Sequence, residues 1–237
     1  MDRAPEDWIG RQESCVDALD TSLASCIAAM LARPFPQEGE VLPPLWHWAF
    51  FQIPVPPSGT GPDGHIAPGE FLPKSEGNTR MWAGGRVEFH RPLLVGLRAA
   101  RQSSIKSVTE KTGRSGKLLF VTVEHQYRQN GELCLSEEQD IVYKEPAPDQ
   151  PYATGVEGYP GLVVHGPLIA TLMVQAFLDA NPGHALVRLA YRGLRPLTVN
   201  KSFKVEGRLS GDCKAILWAA NEDGPAHEAE IEFEEID

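Results

Sequence analysis

The step His165-Gly166-Pro167 carries the residue types best suited to chemistry. Pro167 fits the first turn of a helix, where a missing backbone N–H costs no hydrogen bond. Apolar residues at helical spacing follow it, so the sequence predicts a helix that ends near Ala180. The N–H of Gly166 would then lie at a helix start beside an imidazole, an arrangement that can stabilise a developing negative oxygen. The alternative is a buried structural helix that happens to begin with a histidine.

A second group of candidates lies around Gly84-Gly85, a step that allows close backbone approach or forms a bulge. Arg80, Arg86 and Arg91 cluster there, and a guanidinium can bind a carboxylate through two hydrogen bonds. For each arginine alone, the alternative is a solvated charge beside a strand. Trp82 is a candidate wall of a ligand pocket or, alternatively, a core residue.

Several other chemistries are not indicated. The net charge of -10 argues against a nucleic-acid partner. The four cysteines and the other histidines lack metal-ligand spacing, so no metal is expected. Residues 111–117 lack the glycine spacing of a phosphate loop. The first residues do not resemble a secretion signal, and no apolar run approaches the roughly 20 residues that span a bilayer. We therefore expect a cytoplasmic protein without a membrane partner.

The elements that would position these residues begin with a helix. Residues 1–19 are polar and acidic, and no strand is predicted there. A helix capped by Asp20 or Thr21 is predicted to end near Leu31. The aromatic residues 42–51 are interpreted as a strand or an extended wall. The many prolines and glycines of residues 54–73 predict a long loop, either a binding loop or lid or a disordered linker.

Antiparallel strands follow each predicted helix. Three long β segments form a meander, in which Gln129-Asn130-Gly131 is the clearest hairpin turn. Residues 144–151 are the best domain boundary by composition. Four further strands are expected at residues 185–194, 201–209, 215–220 and 227–233. The order of a helix followed by strands occurs twice, and the echo of Arg91-Pro-Leu93 in Arg195-Pro-Leu197 favours an internal duplication.

Five ordered blocks of the chain resemble the MaoC-like acyl-thioester hydratases and dehydratases. These blocks are Leu42-Pro-Pro-Leu-Trp-His-Trp48, Arg80-Met-Trp-Ala-Gly-Gly-Arg86, Lys111-Thr-Gly-Arg-Ser-Gly116, Glu138-Gln-Asp-Ile-Val-Tyr143 and Val156-Glu-Gly-Tyr-Pro-Gly-Leu-Val-Val-His-Gly-Pro167. The resemblance is greatest to the group with an N-terminal fatty-acid-synthase-type dehydratase half. That group includes hydroxyacyl-thioester dehydratase type 2, mesaconyl-C4-CoA hydratase and itaconyl-CoA hydratase.

The resemblance implies an α+β fold, the double hot dog, in which two antiparallel sheets each wrap a long helix. Residues 1–145 would form the N-terminal hot-dog half and residues 146–237 the C-terminal MaoC-like half. The implied reaction is reversible hydration of an enoyl-CoA, with coenzyme A present only as part of the substrate and no other cofactor. Hot-dog proteins commonly assemble, so a homodimer or a larger oligomer is expected.

The resemblance also assigns roles to residues. Gly166 matches the helix-start glycine whose N–H polarises the thioester carbonyl, and His165 would lie beside it. Tyr159 and Pro160 would contact the ligand or simply form the turn. One of the three arginines could bind a second carboxylate of a dicarboxylic acyl group.

The chain departs from the family at one point. In relatives, a motif of the type Asn-Gly-His-Arg-Ile-His-Tyr-Asp precedes a Tyr-Ala-Thr step and carries the catalytic histidine and its partner. Here residues 148–151 run directly into Tyr152-Ala153-Thr154, so a segment near residues 149–150 is missing. The segment is mobile and absent from the numbered chain, or it has been deleted, or the chain is a natural variant without catalysis. The catalytic pair of the family therefore falls on no residue of this sequence.

Three functions are compatible with this resemblance. The first is hydration of a short branched or dicarboxylic enoyl-CoA, with itaconyl-CoA ahead of mesaconyl-C4-CoA. The second is a (3R)-hydroxyacyl-thioester dehydratase of fatty-acid or polyketide synthesis. The third is a non-catalytic acyl-CoA-binding protein, which would follow if the missing motif has no substitute.

Overall fold

The computed structural model describes residues 4–60, 71–73, 79–113, 116–144 and 161–236. Within these ranges, nine strands and two α-helices are present. The strands are β1 Gln12–Asp17, β2 Thr79–Phe89, β3 Ala99–Gly113, β4 Gly116–Gln129, β5 Glu132–Lys144, β6 His184–Gly193, β7 Lys204–Gly211, β8 Lys214–Asn221 and β9 Gly224–Glu235. The helices are α1 Thr21–Met30 and α2 Gly166–Ala180, and short 3-10 helices span Pro5–Trp8, Trp46–Ala49 and Pro57–Gly59.

All nine strands form one antiparallel sheet with the order β1-β3-β4-β5-β2-β6-β9-β8-β7. The two antiparallel sheets expected from the resemblance are joined into this one sheet, because β2 and β6 pair directly from Gly84↔Arg192 to Glu88↔Arg188. The glycines of β2 permit this junction. A Cβ at Gly84 would overlap the carbonyl oxygen of Tyr191 in β6, and one at Gly85 would lie 2.6 Å from the carbonyl oxygen of Glu138 in β5, the neighbour on the other side of β2.

The strand order is mirrored about the β2–β6 pair. On one side it continues through β5, β4 and β3, and on the other through β9, β8 and β7. The two Arg-Pro-Leu steps hold equivalent places: the N–H of Arg91 donates to the carbonyl of Cys134, and the N–H of Arg195 donates to the carbonyl of Ala226, both at 3.1 Å. The short sequence echo therefore marks the same turn in each half of the sheet.

Helix α2 packs its apolar face on the β6–β9 part of the sheet. Ile169, Met173 and Phe177 are buried in one core cluster with Leu189 and Ile231. The sequence indicates a different stripe, and of its members only Thr171 is buried: Leu168, Thr171, Leu172, Gln175 and Ala176. The predicted helix exists, and it begins one residue earlier than Pro167. Burial of Ile169, Met173 and Phe177 fixes the direction in which the helix start points.

Helix α1 and the hairpin turn also confirm local sequence signals. The Asp20 side chain accepts a 2.8 Å hydrogen bond from the N–H of Ser22, as an N-cap residue does. Asn130 and Gly131 have φ angles of +52° and +81°, which is the left-handed pair that a two-residue hairpin turn requires.

Two segments differ from the expectations. The predicted aromatic strand is a 3-10 helix, Trp46–Ala49, because Leu45 adopts a left-handed φ of +70° and turns the chain. Strand β1 was not predicted, since its residues only alternate between exposed and half-buried at the sheet edge and give little apolar signal. Half of the predicted long loop, residues 61–70, and the linker at residues 145–151 lie outside the described residues.

No helix within the described part of the chain is both long enough and apolar enough to cross a membrane.

Candidate active site

A cavity of about 700 Å³ lies where the start of α2 meets β2, β5, β6 and β9. Apolar side chains such as Met81, Trp82 and Ile141 form much of its wall. Its polar lining is contributed by Arg80, Gln139, His165, Arg195 and His227, with Gly166 at the helix start. An apolar cleft with a few convergent polar groups is the usual form of a small-molecule site.

Gly166 is the first residue of α2, and its N–H is one of the amides that a helix leaves without an internal partner. The partial positive charge of the helix start adds to the pull of this N–H on a negative oxygen. A Cβ at position 166 would lie 3.2 Å from Cε3 of Trp82. Glycine therefore allows the indole ring of Trp82 to lie directly against the helix start.

Three rings are stacked beside this helix start. The ring centroids of Trp82 and Tyr191 are 4.8 Å apart at 21°, and those of Tyr191 and His227 are 5.7 Å apart at 20°. The Tyr191 hydroxyl lies 3.1 Å from the carbonyl oxygen of Gly166 and 2.5 Å from Nδ1 of His227. Burial raises the pKa of Tyr191 well above its usual range, so the phenol keeps its proton.

His227 is a buried imidazole at the cavity wall, 7% exposed. Burial and, secondarily, the charge of Arg195 lower the pKa of His227 to about 4, so its ring is neutral at physiological pH. Within the described residues, Nε2 of His227 has no hydrogen-bond partner. A buried polar atom of this kind is expected to meet a ligand or a water.

The arginine cluster predicted around Gly84-Gly85 is divided by a bulge in β2. The pairing with β5 shifts register between Trp82 and Gly84, so the side chains on either side of Ala83 change face. Arg80 lies on the same face as Trp82 and lines the cavity. Among the described residues, Arg80 has no ion pair.

The other two arginines lie outside the cavity lining. Arg86 is on the outer face, where its Nε lies 2.8 Å from Glu138 and its Nη1 lies 2.9 Å from Asp140. Arg91 is 63% exposed and pairs with Glu132. Neither guanidinium is placed to contact a molecule in the cavity, which differs from their predicted role in substrate binding.

The structure brings together four predicted site residues, namely Arg80, Trp82, His165 and Gly166. Tyr159 and Pro160 lie outside the described residues. Sequence reasoning missed His227, Tyr191, Arg195 and Gln139. The only available signal was the strand alternation that places Tyr191 on the inward face with Leu189.

The comparison with known proteins decides the family. The model of the hydroxyacyl-thioester dehydratase type 2 family matches residues 45–151 and 148–199. The chain belongs to this dehydratase family. The two matched segments overlap at residues 148–151.

Two curated proteins are similar to this dehydratase-family chain. The mesaconyl-C(4)-CoA hydratase of Chloroflexus aurantiacus is 37% identical over 250 residues, covering 86% of this chain and 89% of that protein. The mitochondrial hydroxyacyl-thioester dehydratase type 2 of Schizosaccharomyces pombe is 25% identical over 232 residues, covering 69% and 77%. The alignment spans 250 positions but includes only 86% of the 237 residues of this chain. The hydratase therefore has positions that have no counterpart here.

Solved structures show the fold of the family member. The MaoC-like dehydratase of Phytophthora capsici superposes with a TM-score of 0.69 at 11% identity, over 99% of this chain and 100% of that one. HtdX of Mycobacterium tuberculosis superposes with a TM-score of 0.63 at 13% identity, over 93% and 99%. The antiparallel sheet packed on a helix is therefore a hot dog fold of the MaoC-like type.

Proposed function

We propose that this hydro-lyase catalyses the reversible hydration of a short enoyl-CoA thioester that carries a second carboxylate. The observation that carries the proposal is that Arg80, without an ion pair among the described residues, lines the same cavity as the Gly166 helix start. The similarity to the Chloroflexus mesaconyl-C(4)-CoA hydratase supports mesaconyl-C4-CoA as the first candidate substrate, whereas the sequence favours itaconyl-CoA.

In this proposal the thioester carbonyl oxygen accepts a hydrogen bond from the N–H of Gly166. When water adds to the β-carbon, negative charge develops on that oxygen. A donor fixed in advance stabilises this charge more than it stabilises the uncharged substrate, and the barrier falls. Trp82 covers one side of the helix start and keeps water from competing for the N–H.

Arg80 provides the second anchor. Its guanidinium faces a cavity whose neighbouring wall residues, Met81, Ile141 and Val142, are apolar. A carboxylate bound there forms charge-assisted hydrogen bonds in a poorly solvated environment, where such bonds are strong. The two anchors would hold the acyl group between the thioester oxygen and its distal carboxylate.

We further propose that the single sheet is a double hot dog of two fused halves, residues 1–145 and 146–237. The mirrored strand order and the two equivalent Arg-Pro-Leu turns support this division. A cytoplasmic location and a homodimeric or larger assembly stay predictions.

A second candidate function is favoured by the Schizosaccharomyces relative and by the name of the family. In that case the chain would dehydrate (3R)-hydroxyacyl thioesters of fatty-acid or polyketide synthesis, which is the same chemistry run in reverse. Longer uncharged acyl groups would then be turned over faster than short dicarboxylic ones. Binding of acyl-CoA without any turnover would instead identify a non-catalytic binding protein.

Arg80→Met is expected to lower kcat/KM for mesaconyl-C4-CoA about 10- to 100-fold, because a charge-assisted hydrogen bond is lost. For crotonyl-CoA, which has no second carboxylate, the expected change is less than about threefold. The measurement is the loss of enoyl-thioester absorbance at several concentrations of each substrate.

Arg91→Met is the matched control, since Arg91 is an exposed arginine outside the cavity. Arg91→Met should leave kcat/KM unchanged for both substrates. If the wild-type protein hydrates crotonyl-CoA and mesaconyl-C4-CoA equally well, or if Arg80→Met slows both equally, the carboxylate site does not exist.

A further inference from the structure

We propose that His227 exchanges protons with the substrate in this cavity and that Tyr191 is its positioning residue. This inference rests on the proposed hydration. It also supplies a proton-transfer group that the sequence did not locate, because the motif with the catalytic pair of relatives is absent from this chain.

The hydrogen bonds of Tyr191 determine which nitrogen of His227 is available. The Gly166 carbonyl can only accept, so its 3.1 Å contact requires the single hydroxyl proton of Tyr191. The hydroxyl oxygen must then accept a hydrogen bond from the N–H at Nδ1 of His227, which lies 2.5 Å away. This tautomer satisfies both hydrogen bonds and leaves Nε2 as an unprotonated acceptor.

The surroundings keep this imidazole neutral and accessible to a ligand. The ring is buried at the cavity wall, and within the described residues Nε2 has no partner. The nearby Arg195 is held by the carbonyl of Pro225 at 3.1 Å and by Oδ1 of Asn221, so its charge stays beside the ring. Both burial and this charge disfavour the imidazolium in the resting protein.

The proposed step balances without a further reactant. The oxygen of a water molecule bonds to the β-carbon, and one water proton passes to Nε2 of His227. The electron pair of the double bond moves to the α-carbon and is shared with the thioester oxygen at Gly166. The proton on Nε2 then passes to the α-carbon, which gives the 3-hydroxyacyl thioester and restores the neutral imidazole.

Electrostatics favours this transfer only while the reaction takes place. Before water adds, the cavity holds no new negative charge and the imidazole stays unprotonated. As the enolate charge develops, it lies in the same cavity and raises the proton affinity of His227. The resulting imidazolium and enolate stabilise each other in a poorly solvated space.

Only the second half of the sheet can carry this arrangement. The N–H of Leu42 donates to the carbonyl of Leu93 as the N–H of Val164 donates to the carbonyl of Leu197, both at 2.7 Å. Pro44 comes two residues after Leu42, as Gly166 comes two residues after Val164, so Pro44 is the counterpart of Gly166. Proline has no N–H to donate.

The position equivalent to His227 is also non-functional in the first half. Cys134 and Ala226 accept equivalent hydrogen bonds, so Leu135 is the counterpart of His227. Leucine has no group that can exchange a proton. The N–H of Gly166 and the imidazole of His227 therefore occur together at the cavity, and both are replaced in the other half of the sheet.

The test compares His227→Gln and His227→Asn with the wild-type protein. The amide nitrogen of asparagine can keep the donation to Tyr191 but leaves nothing at the Nε2 position, whereas glutamine places a non-basic amide there. Both variants are expected to lower kcat about 10²- to 10⁴-fold, with KM and the Kd of a saturated acyl-CoA within about threefold. His184→Gln, at the far end of β6, is the matched control and should keep wild-type kcat.

A second measurement does not depend on activity, and its decisive part uses only the wild-type protein. The ¹⁵N spectrum of histidine-labelled wild-type protein at neutral pH should show His227 protonated at Nδ1, and Tyr191→Phe should abolish that preference. Protonation of His227 at Nε2 in the wild-type protein would overturn the proposal, as would a His227→Gln protein with kcat within about threefold of the wild type. A wild-type protein that turns over no enoyl or hydroxyacyl thioester overturns the proposed hydration as well. A wild-type protein that is active while His227→Gln is equally active overturns only the role of His227.

Discussion

Gly166→Pro is expected to lower kcat about 10²- to 10³-fold, the usual effect of removing one donor to a developing oxyanion. Proline is compatible with the first position of a helix, so α2 should still form. The substitution removes the N–H of a residue that lines the cavity and changes neither Arg80 nor His227. Steady-state kinetics with mesaconyl-C4-CoA is the measurement, and circular dichroism checks that the protein is folded.

Gly166→Ala separates the loss of the donor from crowding. A Cβ at this position lies 3.2 Å from Cε3 of Trp82, so both substitutions push on the indole ring. Alanine keeps the N–H, and its kcat should therefore stay within about tenfold of the wild type, well above that of Gly166→Pro. Equal kcat values for the proline and alanine variants would show that the N–H does not take part in the reaction.

Glu137→Ala is expected to lower the free energy of unfolding by about 3–5 kcal/mol, because it breaks a buried network around a charge. Glu137 is 4% exposed. Its carboxylate accepts hydrogen bonds from Nε1 of Trp48 at 2.8 Å and from the hydroxyl of Tyr127 at 2.9 Å. Nε2 of His47 lies 3.3 Å from the same carboxylate. Removal of the carboxylate leaves these three polar groups without their partner.

The same carboxylate predicts a pH dependence of stability. Burial alone would raise the pKa of Glu137, but the hydrogen bond and the charge of His47 outweigh it, with help from His125 and Tyr127, and lower this pKa to about 2. The ordinary pKa is 4.5, so the stabilisation is complete above about pH 4.5 and is lost as the pH falls towards 2. Urea unfolding at several pH values should show this slope in the wild type and a smaller one in Glu137→Gln.

Glu138→Ala is the control for Glu137→Ala, since the neighbouring side chain points to the other face of β5. Glu138 pairs there with Arg86 and Lys106 in a partly exposed cluster. Its removal should change the free energy of unfolding by less than about 1 kcal/mol. A Glu137→Ala protein no less stable than Glu138→Ala would show that the buried network does not stabilise the fold.

The sequence by itself determined the local elements of this protein. The cap at Asp20, the helix behind Pro167 and the Asn130-Gly131 turn were all predicted and are all present. Each depends on interactions between residues a few positions apart, so their signals are short and complete in the sequence. The family was also recognised from ordered motifs, including the one that contains Gly166.

Only the tertiary structure decided how these elements meet. The edge-to-edge pairing of β2 with β6 joined the expected two sheets into one, and such pairing has no local signature. The bulge beside Trp82 placed Arg80 in the cavity and Arg86 outside it, because one extra residue reverses the alternation of a strand.

The candidate site shows the same division. Gly166 could be proposed from sequence because a helix start is a local feature with its own residue preferences. His227 could not, because its role depends on a hydroxyl 36 positions away in the chain and on a cavity wall built from four strands and a helix. The hydroxyl of Tyr191 selects the tautomer of this imidazole and burial by distant segments keeps it neutral, and both exist only when the chain is folded.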